Sequence, residues 1–502
     1  MAAQAIFFVD AGRQVGLGHV MRCLTLADNM AATGWHCTLV APGEVEEMLP
    51  GIRARGHGVI GLAAGTDLLG PTSELRRQFP DIAVLIVDSY RSKANWELQQ
   101  KDWAERIVVI DDLADRRHDC DVLVDQTPGR TPSNYNGLLP ENCTILAGAS
   151  FAMLRRLFLQ QRRTLDLVRK KLSRIVINFG GSDPKGMTSK ALSATIQTGL
   201  KVDIDVVLGA NSTVLAEILD TAENNGEANI KVHQFVDDMA ALFANADLAI
   251  GAGGSSLLEK SSLGLPSLII TTASNQDLVA RNIAECGAAQ LLGNHDDVDD
   301  RQLVTAILAL AGSNGTLAAM SKAAASVCDG KGGLRVAAAL LPSTTTRRGD
   351  VISLRRVCRD DEQIIYDWQT EPDARRFFRH PEAPSRESHA LWFKRRLDDT
   401  DNITCIVLVG GQTAGLVRLD CMDQPGDDDA MEVSIIVATA YRGTGVGGVV
   451  LQLIRKIGGM CRLVAEVNPE NTASIHAFQN AGFQRIREDR FETSGSSTVG
   501  PQ

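Results

Sequence analysis

The chain is 502 residues long and carries no run of about 18 or more uncharged apolar residues. No membrane span is therefore expected. It has no excess of positive charge either: 51 Lys and Arg stand against 61 Asp and Glu, a formal net charge of -10. A nucleic-acid partner would favour a basic face, so none is expected. The ten cysteines are scattered singly, without a CxxC pair. That excludes a dense disulfide framework and points to reduced thiols in a cytoplasmic protein. Met1 to Val9 runs straight into a strand pattern, without the basic region and cleavage site of a signal peptide. There is no HExxH and no aspartate-pair metal signature, so no metal is expected; Asp111-Asp112 reads as a strand-end turn. What remains is ordinary globular material, 44% hydrophobic and 22% charged. By length it holds roughly three to four domains.

Two stretches repeat one pattern. Up to about residue 160, short apolar runs alternate with helical patterns: Ile6–Val9, Thr38–Ala41, Val84–Asp88, Arg106–Ile110, Val122–Asp125 and Thr144–Ala147. Phe158–Lys171 is a basic, helix-like connector. The pattern restarts with Arg174–Phe179, Ile204–Leu208, Ile230–Phe235, Leu248–Ile250, Ser267–Ile270 and Ala289–Leu292. Such alternation predicts mainly parallel sheets covered on both faces, with ligands at the carboxyl ends of the strands. The expected organisation is a first domain over 1–160 and a second over 161–341. A linker over 342–350 reads Pro-Ser-Thr-Thr-Thr-Arg-Arg-Gly and onward. A third domain then covers 351–493, with a polar, helix-rich start and strands at Thr404–Val409, Thr413–Leu419 and Glu432–Val437. Residues 494–502 read as a disordered tail.

Three glycine turns carry the chemistry. Gly16-Leu17-Gly18-His19 joins the first strand, closed by Asp10, to a helical run, and places an imidazole at the turn. Phe179-Gly180-Gly181-Ser182-Asp183 follows a strand of the second domain. Ala252-Gly253-Gly254-Ser255-Ser256 follows another and opens a helix containing Glu259. Successive backbone amides in such turns can cradle a pyrophosphate. Glu259 is placed to accept hydrogen bonds from ribose hydroxyls, and Asn275-Gln276 offers side-chain amides. Taken singly, each turn reads equally as a plain tight turn.

In combination these segments resemble the UDP-2,4-diacetamido-2,4,6-trideoxy-β-L-altropyranose hydrolases of pseudaminic acid biosynthesis. The matching motifs are Val9-Asp10, Gly16 to Ala27, Asp111 to His118, Cys120-Asp121, Asp125-Gln126, Gly148, Phe151 to Arg155, Gly180 to Pro184 and Gly253 to Ser256 with Glu259. The resemblance spans residues 5 to 340. It implies two Rossmann-like α/β domains in a glycosyltransferase-B arrangement, a UDP-sugar substrate, and hydrolysis of the anomeric C–O bond with inversion. It also implies that His19 is the general base. The candidate substrate-binding residues are Asp10, Gly18, Arg22, Gly180, Gly181, Ser182, Gly254, Ser255, Ser256, Glu259, Asn275 and Gln276. One departure stands out: Phe8 occupies a position, two residues before Asp10, where the family usually carries arginine.

Arg442-Gly443-Thr444-Gly445-Val446-Gly447-Gly448 follows a strand and opens a helix. Together with Asn471, Ser474 and Ala481-Gly482-Phe483, it resembles the GNAT-type N-acetyltransferases over residues 351 to 490. The resemblance implies a mixed α/β GNAT domain taking acetyl-CoA as co-substrate at Val437, Arg442, Gly443, Gly445, Gly447, Gly448, Asn471 and Ser474. Phe478 stands where many members carry tyrosine. Glu432 and His476 are candidate bases for the amine. The expected function is bifunctional: acetylation of the 4-amino group of a UDP-4-amino sugar, then hydrolysis of the diacetamido product. Alternatives are a glycosyltransferase using a related UDP-sugar, a non-catalytic sugar-nucleotide-binding protein, or an acetyltransferase of a different amine. The partners expected are small-molecule UDP-sugars; the sequence leaves the oligomeric state open.

Overall fold

The computed structural model describes residues 3–11, 18–45, 51–63, 65–70, 72–180, 183, 185–209, 212–225, 229–234, 236, 238–399, 402–422, 430–459 and 461–493. The tail expected over 494–502 lies outside them, as do Gly16 and Leu17 of the first turn and Gly181 and Ser182 of the second.

The first sheet has seven strands: β1 (Ala3–Val9), β2 (Trp35–Pro42), β3 (Gly58–Leu62), β4 (Ile82–Asp88), β5 (Ala104–Ile110), β6 (Val122–Asp125) and β7 (Thr144–Ala147). Their spatial order is β3-β2-β1-β4-β5-β6-β7, and β1 to β6 pair in parallel. Near-continuous apolar runs such as Ile6-Phe7-Phe8-Val9 suit strands buried on both faces. Ile6 and Phe8 enter one core cluster with Leu85, Val87, Ile107 and Trp103. The order reverses between β1 and β4, so their carboxyl ends flank a topological switch point. β3 escaped the sequence reading because it contains two glycines among its five residues.

The second sheet has β8 (Arg174–Asn178), β9 (Asp203–Val207), β10 (Asn229–His233), β11 (Leu248–Gly251), β12 (Ser267–Thr271) and β13 (Ala289–Asn294). Its order is β10-β9-β8-β11-β12-β13, again parallel throughout. Here the switch point falls between β8 and β11.

The third sheet is mixed. It contains β14 (Thr344–Thr345), β15 (Val351–Arg356), β16 (Ile403–Val409), β17 (Gln412–Cys421), β18 (Ala430–Val437), β19 (Arg462–Glu466), β20 (Gln484–Arg485) and β21 (Arg490–Glu492). β14 through β18 are antiparallel, while β18 and β19 run in parallel. The stretch expected as a linker is part of this sheet: Thr344 and Thr345 pair with Ile352 and Val351. The Thr346 hydroxyl accepts from the amides of Arg348 and Asp350, so hydroxyl chemistry that reads as loop here closes a hairpin. Trp368, Phe393, Ile406 and Leu416 form the core beneath it. Two Rossmann-like sheets followed by a mixed α/β sheet is the fold class that the sequence implies.

The chain divides into two compact units. One holds 1–124, 135–146 and 333–502; the other holds 125–134 and 147–332. The first and third sheets thus share a unit. Within it, the Arg106 guanidinium donates to the carbonyls of Leu340 and Leu341 at 3.4 and 3.3 Å. No single helix among the described residues is long and apolar enough to cross a membrane.

Candidate functional site

In the first unit, the carboxyl ends of β1, β4 and β5 carry acids, and the helix Gly18–Ala32 turns bases toward them. His19 is buried, and its Nδ1 lies 2.6 Å from Asp88 Oδ1. One turn on, Arg22 grips the same carboxylate with two hydrogen bonds. Nε donates to Oδ2 and Nη2 to Oδ1, each at 2.6 Å, and Nη1 reaches Asp112 at 3.0 Å. Burial opposes the Asp88 charge, but the Arg22 guanidinium and the His19 ring outweigh it and hold its pKa well below the carboxylate range. Nδ1 lies 3.0 Å from Arg22 Nη2 as well, but the ionised carboxylate at 2.6 Å is the nearer partner and favours a proton on Nδ1. Nε2 is then left as the nitrogen that can accept one. The Tyr90 ring stands edge-on to the imidazole at 5.0 Å, and its hydroxyl donates to Asp112 at 3.3 Å.

Asp10 belongs to the same rim. It accepts from Ser89 Oγ at 2.5 Å and from Arg91 at 2.9 Å. Asp88, Ser89, Tyr90 and Arg91 were missed in the sequence, where Asp88 marks only a strand end. A usable signal was there: four polar residues in a row, beginning at the last residue of an apolar strand that neighbours β1. Phe8, the departure from the family pattern, is a core residue. Its fully buried ring points into the core and meets Trp96 edge-on at 5.6 Å. Asp111 is spent on structure, accepting from the Ala114 amide and from Arg116, each at 2.8 Å.

In the second unit, Gly180 adopts φ +98° just after β8, a conformation that disfavours any side chain. Asp183 caps the following helix through the amides of Met187 and Thr188. The turn after β11 is held by Gln276, whose Oε1 accepts from Gly253 N at 3.3 Å and from Thr272 N at 3.0 Å. Gln276 is thus a strut of the turn. Asn275 and Ser255 are exposed, and Gly254 has open space where a Cβ would lie. Glu259 is paired with Arg155 at 3.1 Å; burial raises its pKa against the pull of that arginine. Arg155, which the sequence places only at the end of the Phe151 to Arg155 motif, is another residue left there without a role.

In the third sheet, β18 and β19 pair only from Ala430–Glu432 to Arg462–Val464, and β18 then runs on to Val437 without β19. Gly443 and Gly445 sit at φ +74° and +91°, and the helix Val446–Arg455 starts at once. This brings turn amides and a ten-residue helix end together beside the separated strands, a setting that suits a diphosphate. Arg442 does not point into open solution: Nε donates to Val437 O at 3.1 Å and Nη2 to Glu371 at 2.5 Å. Among the described residues there is no group of three or more His, Cys, Asp or Glu able to hold a metal ion.

Comparison with known proteins bears on each part. Residues 149–332 match the family model of the glycosyltransferase family 28 C-terminal domain. Residues 352–484 match that of the acetyltransferase (GNAT) domain. The third module is a GNAT domain.

An uncharacterized protein of Methanocaldococcus jannaschii, MJ1062, is 23% identical over 495 residues, 96% of each chain. The UDP-2,4-diacetamido-2,4,6-trideoxy-beta-L-altropyranose hydrolase of Campylobacter jejuni is 24% identical over 287 residues. That match takes in 57% of this chain and 97% of the hydrolase. The spore coat polysaccharide biosynthesis protein SpsG of Bacillus subtilis is 31% identical over 201 residues, 40% of this chain and 58% of SpsG. This chain thus resembles such a hydrolase followed by a GNAT domain.

A GNAT domain implies acetyl-CoA as co-substrate, and the left-handed glycines with the helix start fit its diphosphate. Gly447 packs on Val437, where a Cβ would sit 3.4 Å from the valine, and Gly448 faces open space. Asn471 spends its Oδ1 as the cap of the helix Thr472–Asn480, accepting from Ser474 N at 3.0 Å. Phe478 is core, edge-on to Phe483 at 5.0 Å, and cannot donate a proton. Of the two candidate bases, His476 is exposed, while Glu432 is paired with Arg379, which also holds Glu466.

Proposed function

We infer that the chain hydrolyses the anomeric C–O bond of UDP-2,4-diacetamido-2,4,6-trideoxy-β-L-altropyranose. In this reading the GNAT domain first acetylates the 4-amino group of the UDP-4-amino sugar. The two steps are consecutive in pseudaminic acid biosynthesis and belong in the cytoplasm, where both co-substrates are made. The observation that carries the hydrolase reading is the buried Asp88–His19 pair. Asp88 fixes the ring, Nε2 takes a proton from water, and the hydroxide formed attacks the anomeric carbon with inversion. Arg22 keeps Asp88 ionised. UDP departs as an anion that turn amides near Gly180 and Gly253–Ser256 stabilise, so no strong general acid is required. Asp10 and Gly18 belong to the substrate rim. The GNAT domain binds acetyl-CoA at Val437, the 442–448 turn, Asn471 and Ser474. A coenzyme A thiolate, with a thiol pKa of about 8.5, leaves without Phe478 acting as an acid.

The decisive experiment is mass spectrometry of the protein incubated with the UDP-4-amino sugar, with and without acetyl-CoA. Free diacetamido sugar that appears only with acetyl-CoA is the expected result. An unmodified UDP-4-amino sugar in the presence of acetyl-CoA would remove the acetyltransferase assignment. His19→Asn is expected to retain UDP-sugar binding and to lose most UDP release; near-parental release would end the general-base role. The match of 149–332 to a glycosyltransferase domain favours one second reading, transfer to an acceptor alcohol. UDP release in buffer without any acceptor separates the two.

A further inference from the structure

A lysine is buried in the second unit without an anion. Lys260 lies on the helix Ser256–Ser262 with 1% of its surface exposed. Its Nζ has no hydrogen-bond partner among the described residues. The amine is not lost in the core. It rests over the Phe243 ring, 5.6 Å from the centroid, and reaches back to Gly251, the last residue of β11. A Cβ on Gly251 would stand 3.1 Å from Nζ and 2.2 Å from the carbonyl oxygen of Asn178, the last residue of β8. A Cβ there would collide with the carbonyl and crowd the amine, which places Nζ directly beside Gly251. The amine therefore sits under the carboxyl ends of β8 and β11, the switch point where open α/β sheets take ligands. The glycine turn Ala252-Gly253-Gly254 leaves from that spot.

A buried ammonium needs an anion or gives up its proton. The surroundings offer little. The Phe243 ring face supplies a cation–π contact but no countercharge, and Asn178 and Gly251 are uncharged. Glu259, the neighbour on the same helix, is engaged by Arg155. Burial accordingly lowers the Lys260 pKa to about 8, with only partial compensation from Glu259. The site is short of one negative charge.

We propose that Lys260 is the buried cation for a diphosphate bound at the 251–256 turn, and that it takes up a proton as the ligand binds. The proposal rests on the reading that this turn holds the UDP moiety. It assigns to unit 2 a charge-bearing residue that the glycine motifs alone do not reveal. It also makes nucleotide affinity fall as pH rises past neutrality.

The test is calorimetry of UDP binding to the full chain at pH 7 and 8.5, in two buffers of different ionisation enthalpy. UDP is fully ionised at the higher pH, so the buffer difference reports protons bound by the protein. Linkage gives roughly three-quarters of a proton per UDP at pH 8.5 and on the order of 0.1 at pH 7. Lys260→Met is expected to abolish the uptake and weaken UDP at pH 7 by about tenfold. Lys260→Arg, which keeps its charge, restores affinity without uptake. Equal proton uptake by the parent and Lys260→Met, or equal affinity across pH 7–9, overturns the proposal. Failure of the parent chain to bind UDP at all overturns the underlying reading as well, and so is distinguishable.

Discussion

Replacing Asp88 by asparagine tests the hydrolytic centre at its hinge. The carboxylate takes three contacts of 2.6 Å, two from Arg22 and one from His19. Asparagine keeps the shape but presents an NH2 and loses the charge. With an NH2 toward the ring, Nδ1 becomes the acceptor and the proton moves to Nε2, the atom that must take it from water. General-base catalysis contributes about 10²–10⁴-fold, so kcat for UDP release should fall by that range. KM should stay within a few-fold, because Asp88 is buried behind the histidine. Stability falls too. Removing one partner of a buried ion pair costs about 3–5 kcal/mol, and the lower end applies because Asp112 still receives Arg22. Linkage gives the sign with pH. The folded Asp88 pKa is depressed, so its contribution is fully present above the unfolded value of about 3.9 and is lost as pH falls below it. The parent should therefore lose its advantage over Asp88→Asn under acid conditions. The assay is UDP release by chromatography alongside thermal unfolding. In a His19→Asn background, Asp88→Asn should cost little further rate, since the two act as one unit. A folded Asp88→Asn with kcat within threefold of the parent would refute the orienting role.

Arg442→Met in the GNAT turn should raise KM for acetyl-CoA severalfold with kcat little changed, because the bonds to Val437 and Glu371 position the turn; steady-state acetylation kinetics decide it. Gly251→Ala should destabilise the second unit by about 2 kcal/mol or more, because the new Cβ would stand 2.2 Å from a backbone oxygen; denaturant unfolding measures it. Lys260→Met should stabilise the ligand-free chain at pH 7 by roughly 3 kcal/mol, the equivalent of its pKa displacement, if the cavity accepts the thioether. Between pH 8 and 10.5 the unfolded lysine holds a proton that the folded one has released. Parental stability should rise over that window and the advantage of Lys260→Met should shrink; denaturation at stepped pH tests this.

Much of the fold was legible because parallel strands advertise themselves. Runs such as Val84–Val87 and Leu268–Ile270 are apolar at every position, and helical stretches separate them. β3 and β15 were not legible for the opposite reason: Gly58-Val59-Ile60-Gly61 is half glycine and Val351-Ile352-Ser353-Leu354 is broken by serine, and only pairing to a neighbour makes them strands. The site divides in the same way. His19, Arg22 and the glycine turns are local patterns. Asp88 is 69 residues from His19, and Arg155 is 104 from Glu259; such pairs exist only after the sheet is assembled. Gln276 and Asn471 show the converse. Each has the chemistry of a ligand contact, and each spends an oxygen on its own backbone.

The two buried charges express two ways of building a site. Asp88 is held by the Arg22 guanidinium and the His19 ring before any substrate arrives. Its cost of burial is already offset, and His19 is held in one tautomer by interactions that catalysis does not alter. Lys260 has no such partner. A cation left alone under a switch point destabilises the chain until an anion is added, so its cost of burial is recovered only in the bound state. Binding energy gained in that way depends on pH, whereas the orientation of His19 should hold wherever Asp88 is ionised. The two should therefore separate in one profile: between pH 7 and 9, KM for the UDP-sugar should rise while kcat stays level, and Lys260→Met should flatten the first without touching the second. A parallel change in both parameters would mean that one group governs binding and chemistry together, and the division of labour between the two charges would be wrong.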